Sequence, residues 1–403
     1  MITVDSESFL AVVTAAALAA LIGGLAGQRL LLPVVVVEIV LGIVIGPDVL
    51  GLADPDDFLE FFASLGLGML FFFAGYEIDF ARIRGSPLRL GVRGWLVSLV
   101  IAYALAAALE ATGVVLSFLF VGSAMATTAI GTLIPVLRDA GELRTRFGGH
   151  LLGAGAMGEF GPILLITFLF STKRAPAEAL ILLAFVGVAV VAAVVAVRGV
   201  GRGWPLLERT LETSGQLAIR IAVVTIFALA TLAASLGLDL LLGGFVAGVI
   251  VRIALKGREV EVFESKLTAV GYGFFIPFFF VVSGIKFDLA ELTDDPDDLL
   301  KMLLFLGLFL VVRGVPAMLL YVRELDLRDR AALAFFSSTQ LPLVVAITTI
   351  AVDRAHMRTS TATSLVAAGI LSTLIFPLLG LRERAGRAVE PLDGDRVVAG
   401  ASE

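Results

Sequence analysis

The chain has 403 residues, 59% of them hydrophobic and 16% charged, with a net charge of −6 and a mean hydropathy of +1.01. A soluble domain is nearer half apolar and a quarter charged, so this composition is that of a polytopic membrane protein. The absence of cysteine excludes disulfides, thiol catalysis and cysteine metal sites, the two histidines (His150 and His356) form no ligand motif, and no basic tract points to nucleic acid.

Apolar runs of about 20 residues, each long enough to cross the hydrocarbon core, recur along the whole length. In chain order the predicted spans are 8–26, 30–48, 60–79, 90–111, 113–136, 147–171, 176–197, 215–237, 239–256, 268–287, 299–322, 329–351 and 359–381. The stretch before the first span, "MITVDSES", is acidic, whereas a signal peptide carries a positive leading region. The first run is therefore read as a true span. Only "GLD" separates the eighth span from the ninth.

Loop charge orients these spans. Alternate loops collect arginine, as in Arg82, Arg84 and Arg89, in Arg138, Arg144 and Arg146, and in Arg198, Arg202 and Arg209. The opposite side includes the acidic loops "PDVLGLADPDDF" and "LTDDPDD". Lysine and arginine mark the cytoplasmic side, which places the N-terminus outside and the C-terminus inside.

The third and tenth spans resemble one another. "MLFFFAGYEIDF" (69–80) aligns with "FFFVVSGIKFDL" (278–289), setting Gly75 over Gly284 and Asp79 over Asp288. A weaker echo sets "EIVLGIVIG" (38–46) beside "GFVAGVIVR" (244–252). The copies are an odd number of spans apart and so point in opposite directions, an arrangement typical of secondary transporters. The expected organisation is an extra N-terminal helix (8–26), a first inverted repeat (30–171), linker helices (176–237), a second repeat (239–381) and a short cytoplasmic tail (382–403).

The fifth span, "GSAMATTAIGTLIPVL", and the twelfth, "FFSSTQLPLVVAI", put hydroxyls beside Gly or Pro in mid-membrane. Such clusters weaken the helical ladder, and freed carbonyls and half-helix ends can then ligate a cation. Thr127, Thr128, Thr339 and Gln340 are the candidate oxygen ligands; ordinary Ser/Thr helix packing is the alternative.

Between these two spans in sequence, Glu159 interrupts the apolar run "FGGHLLGAGAMGEFGPILLITFLF". A charge at the bilayer centre is costly, so an intramembrane carboxylate reads as a group that binds a cation, a proton or both; a helix-packing carboxyl is the alternative. Arg313 lies mid-span in "LFLGLFLVVRGVPAMLLY", and a buried arginine requires a partner. Glu159 is the expected partner, a backbone carbonyl near Pro316 the alternative. Glu38, inside the second span, is expected to make a structural contact. Glu77, Lys286 and Arg220 are read as interfacial, snorkelling groups.

Five segments taken together resemble the monovalent cation:proton antiporter-2 family: "LPVVVVEIVLGIVIGPDVLGL" (32–52), "LGLGMLFFFAGYEIDFARIR" (65–84), "MATTAIGTLIPVLRDAGEL" (125–143), "LLGGFVAGVIV" (241–251) and "IPFFFVVSGIKFDL" (276–289). The resemblance implies an all-α membrane fold of about thirteen helices with NhaA/NapA-like inverted repeats and two discontinuous crossing helices. It also implies a homodimer, exchange of Na⁺ or K⁺ for H⁺, and, for Arg313, the place of the basic residue that pairs with the core carboxylate. No cofactor is expected, because ion gradients drive the cycle. Where many members carry two adjacent acids, or Asn or Gln before Asp, this chain has Gly158-Glu159, and Pro342 stands where some relatives have a further acid. No Gly-x-Gly-x-x-Gly fingerprint supports nucleotide gating. A passive cation channel, an organic-anion carrier using Arg313 and a non-transporting membrane sensor stay open.

Overall fold

The computed structural model of the chain describes residues 5–30, 33–77, 83, 85–169, 175–236, 240–255, 260–294 and 296–386. Each predicted span falls on a helix or on a pair of half-helices. The first four are α1 (Ser6–Leu30), α2 (Val34–Ile45), α3 (Asp57–Glu77) and α4 (Ser86–Ala111). The fifth is broken into α5 (Phe118–Met125) and α6 (Ile130–Asp139). Next come α7 (Arg146–Leu169), α8 (Ala175–Leu211), α9 (Leu217–Ser235) and α10 (Leu240–Ala254). The tenth span is α11 (Glu261–Val270) joined to α12 (Ile276–Ile285) through a π-helical turn, Gly271–Phe275. A short α13 (Leu289–Asp294) precedes α14 (Pro296–Leu320). The twelfth span is broken into α15 (Leu327–Ser337) and α16 (Pro342–Asp353), and α17 (Thr359–Arg384) follows.

Two expectations change. The loop carrying Arg198, Arg202 and Arg209 is helical, because α8 runs on to Leu211. At 37 residues, α8 is about 55 Å long against a hydrocarbon core of about 30 Å, so hydropathy alone detects only its apolar part. The expected tail beginning at residue 382 starts inside α17, and its Arg384 is only 7% exposed.

The chain divides into two compact units. One comprises Met1–Ala17, Glu38–Ile78 and Ile163–Lys286; the other comprises Leu18–Val37, Asp79–Pro162 and Phe287–Glu403.

In the first unit, α3 packs against α10 and α12 through glycines that bring backbones together. A Cβ at Gly75 would collide with the Phe245 carbonyl, and one at Gly284 with the Ile39 carbonyl. Likewise a Cβ at Gly248 would meet the Phe72 carbonyl, and one at Gly42 the Val281 carbonyl. Under the two sequence alignments, Gly75 corresponds to Gly284, Phe245 to Ile39, Gly248 to Gly42 and Phe72 to Val281. The α3–α10 contact is therefore repeated, residue for residue, as α12 against α2. An aromatic cluster of Phe9, Phe58, Phe62 and Phe278, with ring centroids 5.0–5.6 Å apart, fills the space beside it.

In the second unit, α14 packs against α4, α15 and α17 over a core that includes Leu133, Phe147, Leu151, Leu333 and Phe336. One end is tied by buried charge. Arg384 donates to both carboxylate oxygens of Glu142 (2.8 and 2.9 Å) and to Asp329 (2.7 Å), and its guanidinium lies 4.6 Å over the Phe147 ring. This fork satisfies the charge at the end of α17 and joins it to the α6–α7 connection and the start of α15.

Candidate functional site

Prolines set up the site within the second unit. Pro162, inside α7, has no N–H, which leaves the carbonyl of Gly158 one turn earlier without its helical partner. That carbonyl accepts the Thr128 N–H at 3.0 Å instead. Pro342 opens α16, and Leu341 before it is held at φ −149°, outside the helical region. The fifth and twelfth spans thus interrupt at matching places, and their extended segments meet.

Four hydrogen bonds join the two breaks. The Ala129 N–H donates to the Thr339 carbonyl (2.8 Å), and the Thr128 hydroxyl to the Ser337 carbonyl (2.6 Å). The Gln340 amide donates to the Met125 carbonyl (2.8 Å), while its Oε1 accepts from the Thr127 hydroxyl (3.2 Å). Ser372 on α17 completes the arrangement by bonding both the N–H and the carbonyl of Gln340, each at 3.0 Å. Thr127, Thr128, Thr339 and Gln340 are each 0% exposed. The four candidate ligands are thus brought together, and their polar atoms hold the crossing closed.

Glu159 lies beside this crossing on α7 and is 6% exposed. Its Oε1 accepts from the Gly131 N–H at 3.3 Å, in the first turn of α6, where the helix dipole favours negative charge. Its Oε2 is buried and has no hydrogen-bond partner among the described residues. The half-helix holds one oxygen, and the lone pairs of the other are unengaged among the described residues.

The expected Arg313–Glu159 pair does not form. Arg313, 4% exposed, donates from Nε to Thr128 Oγ1 (2.9 Å) and more weakly to the Ser337 carbonyl (3.4 Å). Its Nη1 donates to Ser98 Oγ and its Nη2 to the Ala154 carbonyl, both at 3.1 Å. The reason is angular. A Cβ at Gly158 would lie 2.9 Å from Arg313 Nη2, so position 158 is the one that faces the guanidinium. Position 159 is turned about 100° further round the helix. Arg313 instead meets the C-terminal end of α15, where the helix dipole favours positive charge.

Glu38, expected to make a structural contact, lies buried on α2 in the first unit at 5% exposure. Ser98 and Ala154, which hold Arg313, escape sequence reasoning: a lone serine in an apolar span and a backbone carbonyl carry no spacing signal. Near the ends of the same helices, Glu324 accepts from the Ser86 hydroxyl (2.6 Å) and from Arg146 (2.7 Å), and these bonds hold its carboxyl below the usual carboxylate range.

The family model for the transmembrane sodium/hydrogen exchanger matches residues 15–380. The chain belongs to the sodium/hydrogen exchanger family. It is a multi-pass membrane protein, and the resemblance carried by the five sequence segments is borne out. It is 26% identical over 375 residues to the putative Na⁺/H⁺ antiporter YjbQ of Bacillus subtilis, covering 87% of this chain and 59% of that protein. It is 27% identical over 268 residues to the Na⁺/H⁺-K⁺ antiporter GerN of Bacillus cereus, covering 64% of this chain and 66% of GerN. The chain thus spans less than two thirds of the length of these relatives. The solved sodium proton antiporter MjNhaP1 of Methanocaldococcus jannaschii shares the fold, with a TM-score of 0.63 at 17% identity over 94% of this chain and 99% of that one.

Proposed function

We propose that the chain is a secondary active antiporter that exchanges a monovalent cation, Na⁺ or K⁺, for H⁺ by alternating access at Glu159. The observation that carries this reading is the divided state of the Glu159 carboxylate. One oxygen is held by Gly131 N–H at the start of α6, and the other is buried without a partner among the described residues. A carboxylate so held accommodates a proton or a metal cation but not both, and that competition couples the two fluxes. The names of YjbQ and GerN support the same chemistry.

Arg313 stays charged and structural in this scheme, since a guanidinium releases its proton only far above physiological pH. Gly158 contributes no second acid. One carboxylate then carries one charge in each direction, and the exchange is electroneutral. The arginine-rich connections support a cytoplasmic C-terminus in this reading. The homodimer implied by the family resemblance belongs to the same reading.

The test is purified protein in liposomes loaded with a pH-sensitive dye and challenged with Na⁺, K⁺ and Li⁺ in turn. Glu159→Gln should abolish cation-driven proton flux in a protein that still melts cooperatively, and Glu159→Asp should retain some exchange. Full flux in Glu159→Gln would overturn the assignment. With the potential clamped by valinomycin and K⁺, Na⁺-driven exchange should not respond to voltage; flux driven by a potential alone would refute electroneutrality.

A further inference from the structure

Arg313 borders a second feature that antiport at Glu159 does not use. A cavity of about 10 Å³ lies within the second unit against α4, α14 and α15, and its lining includes Gly94, Trp95, Arg313, Pro316, Tyr321 and Ser337. Three of these side chains end in a buried polar atom with no hydrogen-bond partner among the described residues: Trp95 Nε1, Tyr321 Oη and Ser337 Oγ. These residues are 8%, 2% and 2% exposed. Leaving a buried polar group unsatisfied is costly, and three around one cavity call for a shared partner.

Chemistry and size narrow that partner. The indole N–H only donates, so the partner must accept. The two hydroxyls turn and can donate or accept, so they suit a partner that does both. A volume of about 10 Å³ is the room of a single water and of nothing larger. Water accepts two hydrogen bonds and donates two, which matches one fixed donor and two adaptable hydroxyls. Gly94, in the interior of α4, keeps that room open. A Cβ there would stand 3.9 Å from Tyr321 Oη and 4.0 Å from Pro316 Cβ, so a methyl would enter the space beside the hydroxyl without a clash.

We propose that this cavity is a binding site for one ordered water, held by the Trp95 indole N–H and the Tyr321 and Ser337 hydroxyls. The water joins α4, α14 and α15 beside the helix crossing. Ser337 is the last residue of α15, and its carbonyl accepts the Thr128 hydroxyl. The water therefore steadies the half-helix end against which the break in the fifth span is held, and Trp95 and Tyr321 act on that end through it. The site is independent of the ion that Glu159 carries.

Thermal unfolding of the purified full chain tests this by the sign of two shifts. Tyr321→Phe removes one hydroxyl and keeps the ring. With the water bound it breaks one of the water's hydrogen bonds and should lower the melting temperature; in a dry cavity it removes an unsatisfied buried hydroxyl and should raise it. Gly94→Ala puts a methyl where the water stands. Alanine is the better helix former and its methyl makes only ordinary contacts, so in a dry cavity the variant should melt higher. With the water displaced, three polar groups lose their partner and the melting temperature should fall. The two changes should also be coupled: in the Gly94→Ala background, Tyr321→Phe should raise the melting temperature instead of lowering it. A structure of the unaltered protein, at a resolution that shows ordered water, should have one density peak within hydrogen-bonding distance of Trp95 Nε1, Tyr321 Oη and Ser337 Oγ, which decides the matter even if a variant fails to fold. A melting temperature unchanged or raised in either single variant, or a cavity without density, would overturn the proposal.

Discussion

Arg313 Nε donates a hydrogen bond to Thr128 Oγ1 over 2.9 Å, tying a charge on α14 to the break between α5 and α6. The same hydroxyl donates onward to the Ser337 carbonyl at the end of α15. The guanidinium thus acts as a strut for both broken helices, and the carboxylate at 159 is left to the half-helix terminus. In the proposed exchange, separating the two charges would let Glu159 change its occupant without stranding a buried arginine.

Gly158 is required by that strut. A Cβ there would lie 2.6 Å from Thr128 Oγ1 and 2.9 Å from Arg313 Nη2. Gly158→Ala should lower stability by about 1–3 kcal/mol, the usual cost of overpacking. Gly158→Asp should recover part of that loss, because its carboxylate would meet the guanidinium. Melting curves of the two variants in detergent check this; an unperturbed Gly158→Ala melt would contradict the described packing.

Thr127 and Gln340 join the two extended segments through their side chains. A double-mutant cycle with Thr127→Val and Gln340→Leu should give a coupling of about 0.5–1.5 kcal/mol, the net value of one hydrogen bond. Additive effects would mean that the Thr127–Gln340 hydrogen bond contributes nothing to the crossing.

Gly42 and Gly248 occupy equivalent places in the repeated contact of the first unit, each against a backbone carbonyl. Gly42→Ala and Gly248→Ala should therefore destabilise to a similar degree, each by about 1–3 kcal/mol. Chemical unfolding of both measures this. A large disparity would show that the two contacts are not equivalent.

Glu324 predicts a pH dependence. Its carboxyl is held below the ordinary value by the Ser86 hydroxyl and Arg146, so the folded state binds that proton more weakly than the unfolded chain. The stability it contributes is present above the ordinary carboxylate pKa of about 4.3 and is lost as pH falls through the depressed value. Glu324→Gln should lower the melting temperature most in the neutral range, and the difference from the unaltered protein should shrink as pH falls, which flattens the acid-side decline. An identical acid profile in the variant would show that another carboxylate carries the slope.

Much of this was written in the chain itself. Crossing the hydrocarbon core takes about 20 apolar residues, so the spans were legible one by one. The costly charge of Glu159 marked the site, and the prolines and hydroxyls of the fifth and twelfth spans marked the breaks, because these residues weaken the helical ladder wherever they stand. Azimuth was not legible. The turn of about 100° between Gly158 and Glu159 decides which of them faces Arg313, and only the packing of α7 sets that angle. The first break likewise falls at Thr127 and Thr128 because the N–H groups of Thr128 and Ala129 find their acceptors in Gly158 and Thr339, residues far away in sequence. Trp95, Ser98 and Tyr321 gave no signal at all. Each is an isolated polar group in or at the edge of an apolar span, and it gains meaning only when three helices bring its donor to the same small cavity as Arg313.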